Sequence, residues 1–194
     1  MVLGRVINRL KLDIEVQPKT FPIIGSALAR RYKGEEPSSP LLGLSSYAWG
    51  GETLQVDALD VPRSTEDKPL ILTAGENGSF ELFDEDGDSV VKGVVGNRAT
   101  AGKFSIFVSN MVARPGTRFV LVRRSMESAV ELLRKNFTVK ERGKKSGILE
   151  ASLTGPDQEK IGVVLDDILK TYVRQNVERR SAEAENTLMF LETQ

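Results

Sequence analysis

From Asp157 to Gln194 the sequence holds no proline and a single glycine, Gly162, over 38 residues. Pro156 suits the entry to a helix, and a helix of that length would run about 57 Å at 1.5 Å per residue. No compact domain drawn from 194 residues can bury it along its whole length. Its first half carries a dense apolar stripe, Ile161, Val164, Leu165, Ile168 and Tyr172, suited to packing on a sheet. Arg174 to Asn186 is almost wholly polar, so the second half is expected to project. It closes on Leu188-Met189-Phe190-Leu191 without a Gly or Asn cap, and the chain is therefore expected to be a fragment whose continuation covers these side chains.

Upstream the period is different. Leu54, Val56 and Ala58 alternate with polar residues, as in a half-buried strand, and five further runs follow at about 69–74, 79–83, 89–95, 103–109 and 117–124. Asn77-Gly78 and Asp86-Gly87 stand between consecutive runs and supply the positive φ angles of two-residue hairpin turns. Six short strands at this spacing predict a small antiparallel β-sandwich, jelly-roll-like, of about 75 residues.

Helical periods flank that region. Leu3, Val6, Ile7 and Leu10 form a short amphipathic helix, Ile14-Glu15-Val16 a short strand closed by Pro18, and 23–31 a second helix after Pro22. Residues 33–46 are a Gly/Pro/Ser-rich connector. Ser125 is placed to cap a helix with the stripe Ala129, Val130, Leu132 and Leu133, followed by strands at 137–139 and 148–153 around a basic turn, Arg142 to Lys145. The reading is α+β: an α/β base from 1–45 and 125–194, including the long projecting C-terminal helix, with the β-sandwich inserted at 46–124.

Composition removes much chemistry. There is no Cys and no His, so thiol nucleophiles, Ser-His-Asp triads and the usual zinc ligand sets are excluded. Lys+Arg and Asp+Glu are 27 each, leaving no basic field to gather nucleic acid. No stretch approaches the roughly 18 to 20 apolar residues that span a bilayer, and the first residues lack a signal-peptide layout. Gly96 to Lys103 imitates a phosphate loop but has five residues between its glycines where four are needed, and Phe104 stands where a Mg²⁺-binding hydroxyl belongs. Read as a loop between strands, it gives no nucleotide site. Asp84 to Asp88 has glycine fourth and Val95 twelfth, which fails the calcium-loop pattern and leaves a solvated hairpin tip where three carboxylates converge. Asp166 and Asp167 diverge by about 100° on a helix and cannot flank one glycosidic bond. No catalytic, cofactor or metal residue is assigned.

Two surfaces remain as candidates. Tyr47, Trp49 and Phe83 could stack on pyranose rings, with core packing as the competing role. Arg174, Glu178, Arg179, Arg180, Glu183 and Glu185 spread charge in several directions around the long helix, either as an oligomer interface or as solvated surface. An expected Arg174–Glu178 pair sits at the four-residue spacing.

FPIIGSALARR (21–31), FELFDEDG (80–87), RPGTRFVLVRRS (114–125), ERGKKSGILEASLTGPD (141–157) and TYVRQNVERRSAEAENTLMFLETQ (171–194) together resemble the periplasmic region of the Wzc-type bacterial tyrosine autokinases, within the polysaccharide co-polymerase (chain-length determinant) family. That resemblance implies the periplasmic part of a bacterial inner-membrane protein, with a membrane-proximal base and a long helix leading away from it. It implies a homo-oligomer that works with a polysaccharide polymerase and an outer-membrane export channel to set the length and export of capsular or exopolysaccharide. ATP and Mg²⁺ would serve a kinase domain absent from this chain, which is itself expected to be non-catalytic. The alternative is a carbohydrate-binding module contacting the growing polysaccharide through the β insert. A free-standing carboxylate hydrolase is a third and weaker reading.

Overall fold

The computed structural model describes residues 2–21, 38, 46–143 and 148–192. The helix expected at 23–31, most of the connector at 33–46 and the Lys144-Lys145 part of the basic turn lie outside the described residues. The chain forms two units, one of residues 13–125 and one of 1–12 with 126–194.

The strand-rich unit contains β1 (Ile14–Pro18), β2 (Thr53–Asp60), β3 (Pro69–Ala74), β4 (Ser79–Phe83), β5 (Ser89–Val94), β6 (Arg98–Ala101), β7 (Phe104–Val112) and β8 (Arg118–Arg123). They form a five-stranded sheet in the order β1-β8-β3-β4-β5 and a three-stranded sheet β2-β7-β6, all antiparallel. The nested pairing of β1 with β8 and β2 with β7 is that of a jelly roll; β4 and β5 depart from it by continuing outward from β3. Period-two alternation turns Leu70, Leu72, Phe80, Leu82, Phe119 and Leu121 of the larger sheet inward onto Val56, Leu59, Ile106 and Val108 of the smaller one.

Four sequence expectations change here. The sequence reading places residues 1–45 in the helical base, whereas β1 pairs along its whole length with β8 and belongs to the strand-rich unit. Gly96 to Lys103 is a strand hairpin: β6 pairs with β7, and only Ala99 of its four residues is buried, too faint an apolar signal to read. In β2 the inward residues are Val56 and Leu59 instead of Val56 and Ala58, because register shifts around Val56 leave Asp57 as an extra residue. The Asp86-Gly87 turn has three loop residues: Gly87 donates to Asp84 O at 3.2 Å, Asp84 N–H donates to Asp88 O at 3.0 Å, and Gly87 takes φ 87°.

The second unit contains α1 (Val2–Leu10), α2 (Met126–Asn136), β9 (Phe137–Glu141), β10 (Leu149–Leu153) and α3 (Gln158–Glu192). β9 and β10 form a two-stranded antiparallel sheet. Val6 of α1 packs with Val164 and Ile168 of α3, surrounded by Val2, Leu3, Leu10, Leu133, Phe137 and Leu153. Asp157 caps α3, its Oδ1 accepting from Lys160 N–H at 3.1 Å. The helix has 35 residues, about 52 Å at 1.5 Å per residue. Among the described residues Val164, Ile168 and Thr171 are its buried positions, and from Val177 to Met189 every side chain is exposed. Tyr172 and Leu132, both assigned to buried stripes from their spacing, are instead about half exposed.

Candidate functional site

The three aromatic candidates fall into two different settings. Trp49 is 3 % exposed, its ring stacked on Phe21 at 5.9 Å, while Phe21 meets Tyr47 edge-on at 5.3 Å. Beneath them the Glu52 carboxylate is buried. It accepts from the Trp49 N–H at 3.1 Å, the Gly50 N–H at 2.7 Å and Arg114 Nη2 at 3.0 Å. Those bonds compensate the desolvation of the carboxylate and fix the corner that holds Trp49. The indole is a structural anchor with no face to offer a sugar, which corrects its candidacy. Tyr47 is half-buried at the edge of the same cluster.

Phe83 is different. In β4 the inward residues are Phe80 and Leu82, so Ser79, Glu81 and Phe83 point to the outer face of the five-stranded sheet. Phe83 lies across from Ile71, and Ile71 across from Val120; one register step along, Thr73 lies between Glu81 and Arg118. A cleft of about 390 Å³ opens there, lined by Ile71, Thr73, Phe83, Asp84, Glu85, Gly87 and Arg118. Tyr47 and Trp49 do not line it. At its acidic rim Asp84 Oδ1 accepts from the N–H groups of Asp86 at 3.1 Å and Asp88 at 2.9 Å, and Glu85 pairs with Lys68, whose pKa that hydrogen bond raises. Of the carboxylates at this tip, Asp84 and Glu85 are thus tied to separate partners, and among the described residues no group of three converges on a metal position. Next to the cleft, a hydrogen bond from the Ser89 hydroxyl at 2.5 Å and the Lys92 ammonium at 3.0 Å hold Glu81 below the usual carboxylate range.

The near-phosphate loop does not fit a nucleotide. The Gly96 N–H donates to Val108 O at 2.9 Å and the Asn97 N–H to Val94 O at 3.1 Å, while residues 98–101 are bound in the sheet. The Gly96 and Asn97 amides are thereby committed to protein acceptors instead of turned toward a common anion. Asp166 pairs with Lys170 at 2.6 Å and Asp167 with Arg9, on different sides of α3.

The charged candidates Arg174, Glu178, Arg179, Arg180, Glu183 and Glu185 are all exposed on α3. Arg179 approaches Glu183 at 3.9 Å and donates to Asn176 Oδ1 at 3.3 Å; no ion pair joins Arg174 to Glu178 among the described residues. Sequence reasoning missed a third surface, an apolar groove of about 370 Å³ between α1, β9, β10 and α3, lined by Val2, Val139, Leu149, Leu169, Tyr172 and Val173 among others. It draws on three separate segments, so no local pattern announces it. Arg118 and Ile71 were missed likewise, although Phe83 standing at an outward position beside Ser79 and Glu81 was a legible hint.

A family profile described as "Tyrosine-protein kinase Wzc, N-terminal domain" matches residues 14–124, coinciding with the strand-rich unit to within one residue at each end. Across 99% of its length the chain is 37% identical to EpsB of Ralstonia nicotianae, covering 26% of that protein. It is 36% identical over its full length to the tyrosine-protein kinase etk of Escherichia coli K12, covering 24%. Against the tyrosine-protein kinase wzc of Salmonella typhimurium it is 30% identical over its full length, covering 25%. The chain spans about a quarter of the length of the relatives it matches. With the profile filling the strand-rich unit and similarity running on through α3, the chain belongs to the Wzc N-terminal domain family.

Proposed function

We propose that this chain is the extracytoplasmic, non-catalytic part of an inner-membrane polysaccharide co-polymerase, and that it helps the intact protein oligomerise and set the length and export of a capsular or exopolysaccharide. The observation that carries this reading is the family profile filling the strand-rich unit. A 35-residue helix that leaves its distal side chains in solvent adds to it, since such a helix is more use to an assembly than to one folded unit. The tyrosine kinase activity in the relatives' names, with its ATP and Mg²⁺, belongs in this reading to the three quarters of their length beyond the match. A polysaccharide polymerase and an outer-membrane export channel are its working partners.

The test is charge reversal in the full-length parent. Arg179→Glu with Arg180→Glu should shrink the detergent-solubilised oligomer and shift the polymer length distribution on a gel. Normal assembly with normal polymer length would mean that this helix face is solvated surface.

A second reading, direct contact of the strand-rich unit with the polysaccharide, is favoured by one observation. The Phe83 cleft joins an outward aromatic ring to polar and charged groups.

A further inference from the structure

Outward positions on a half-exposed sheet are normally polar, and β4 keeps to that at Ser79 and Glu81 before breaking it with Phe83. The break coincides with a register shift, where Val90 is the extra residue in β5 opposite the step from Leu82 to Phe83. Phe83 itself faces outward by the period of two in β4. Val120, Ile71 and Phe83 form an apolar row across three neighbouring strands, with Thr73 and Arg118 in the next row.

Arg118 is the second feature. Among the cations borne by the strands of this sheet, Lys92 pairs with Glu81 and Arg123 with Asp13, and nearby Lys68 pairs with Glu85 and Arg124 with Glu15. Arg118 is exposed, lines the cleft, and has no carboxylate partner among the described residues. Two strand spacings and two residue rises separate it from Phe83, roughly 12 Å between Cα atoms. A ring lying on Phe83 and an extended arginine side chain bridge that distance together. At the Phe83 end the acidic groups are already partly satisfied, Asp84 by two amides and Glu85 by Lys68. They can accept hydroxyl donors without presenting a bare negative field to an anion at the other end.

We propose that this cleft holds one pyranose unit of a carboxylate-bearing glycan, its C–H face on Phe83, its hydroxyls at Asp84 and Thr73, and its carboxylate in the fork of Arg118. The cleft volume lies within the roughly 300–1,000 Å³ of small-molecule sites, and guanidinium is the side chain suited to planar, bidentate recognition of a carboxylate. The proposal rests on the second reading above and specifies its site and sugar class.

Titration of the ¹⁵N-labelled chain with two uronate probes, tetragalacturonate and a hyaluronan tetrasaccharide, against uncharged maltotetraose tests it. Saturable amide shifts confined to residues 71–73, 83–87 and 118 are expected with at least one uronate probe. Arg118→Gln should weaken binding at least tenfold without disturbing the rest of the spectrum, Phe83→Ala should abolish it, and Phe83→Tyr should retain it. Saturable shifts elsewhere that survive both Arg118→Gln and Phe83→Ala would overturn the site while leaving glycan contact intact. Equal binding of maltotetraose, indifferent to Arg118→Gln, would overturn the choice of an acidic sugar. Absence of saturable shifts with all three probes would overturn the site and the second reading together.

Discussion

Gly93 of β5 stands directly across from Phe80 of β4, and a Cβ built on it would lie 2.5 Å from Phe80 Cζ and 2.7 Å from the Ala99 Cβ. Its φ is not positive, so the demand for glycine is steric: the Phe80 ring fills the place a side chain would take. Gly93→Ala should therefore cost the strand-rich unit about 1–3 kcal/mol through overpacking. Urea unfolding followed by the fluorescence of Trp49, the single tryptophan, measures it. Phe80→Leu in the same chain should recover part of the loss, giving a favourable coupling in a double-mutant cycle. Stability equal to wild type in the single Gly93→Ala variant would show that the inner face has room there.

Arg9 of α1 reaches two groups on α3, donating from Nε to Asp167 Oδ2 at 3.0 Å and from Nη2 to the buried Thr171 hydroxyl at 2.7 Å. Both lie on the polar margin of the Val6–Val164–Ile168 core, so the fork fixes the rotation of α1 on α3 while the apolar contacts supply adhesion. Arg9→Ala is expected to destabilise this unit by about 1–2 kcal/mol, less than a buried charged pair because the guanidinium is partly exposed. Arg9→Lys should recover less than half, since an ammonium cannot hold both partners in the same geometry. Thermal unfolding followed by helical circular dichroism decides it, and an Arg9→Ala variant that melts with wild type would reduce the contact to decoration.

The strands that the sequence announced are those whose buried residues alternate without interruption. Leu70-Leu72-Ala74 and Phe80-Leu82 place β3 and β4 at Pro69–Ala74 and Ser79–Phe83, the spans expected from periodicity. β6 escaped because one small buried residue, Ala99, makes no pattern, and β2 was misphased because a bulge is invisible to a strict period of two. Trp49 illustrates a different limit. Its burial depends on Glu52 and Arg114, which lie 62 residues apart and meet only in the folded chain. Phe83 was legible as an aromatic out of step with its strand, but the cation that completes the cleft comes from β8 through the Thr73–Arg118 register. Helix spacing likewise could not tell that Tyr172 would border a groove instead of filling a core.

Glu81 gives the pH dependence a sign. Its folded pKa lies below the unfolded value because the Ser89 hydroxyl, and then Lys92, stabilise the charged form. A depressed carboxylate contributes stability that is present above its unfolded pKa and is lost as pH falls through the folded one. Side-chain NMR titration should find the Glu81 midpoint below that of an ordinary glutamate, and Ser89→Ala should move it upward. Added salt should also move it upward, though less, since salt screens only the Lys92 contribution. A midpoint indifferent to Ser89→Ala would remove the hydroxyl as the cause.

The distal half of α3 has to be stable by different means from the proximal half. Val164, Ile168 and Thr171 are buried against the rest of their unit, whereas the side chains from Val177 to Leu188 are all exposed and their contacts are local, such as the weak Arg179–Glu183 pair. A helical stretch of that length without packing is marginal in water. Amide exchange should therefore be slow through Thr171 and accelerate beyond Asn176, by about two orders of magnitude at Ala184. Ala184→Gly, which costs about 1 kcal/mol in a helix interior, should speed exchange nearby and leave the melting of the unit unchanged. Because any partner of this face must bury it, the same measurement at rising protein concentration reads assembly directly. Protection that extends through Met189 only at high concentration would report copies packing on the distal helix. Uniform protection at high dilution would contradict the solvated helix described here.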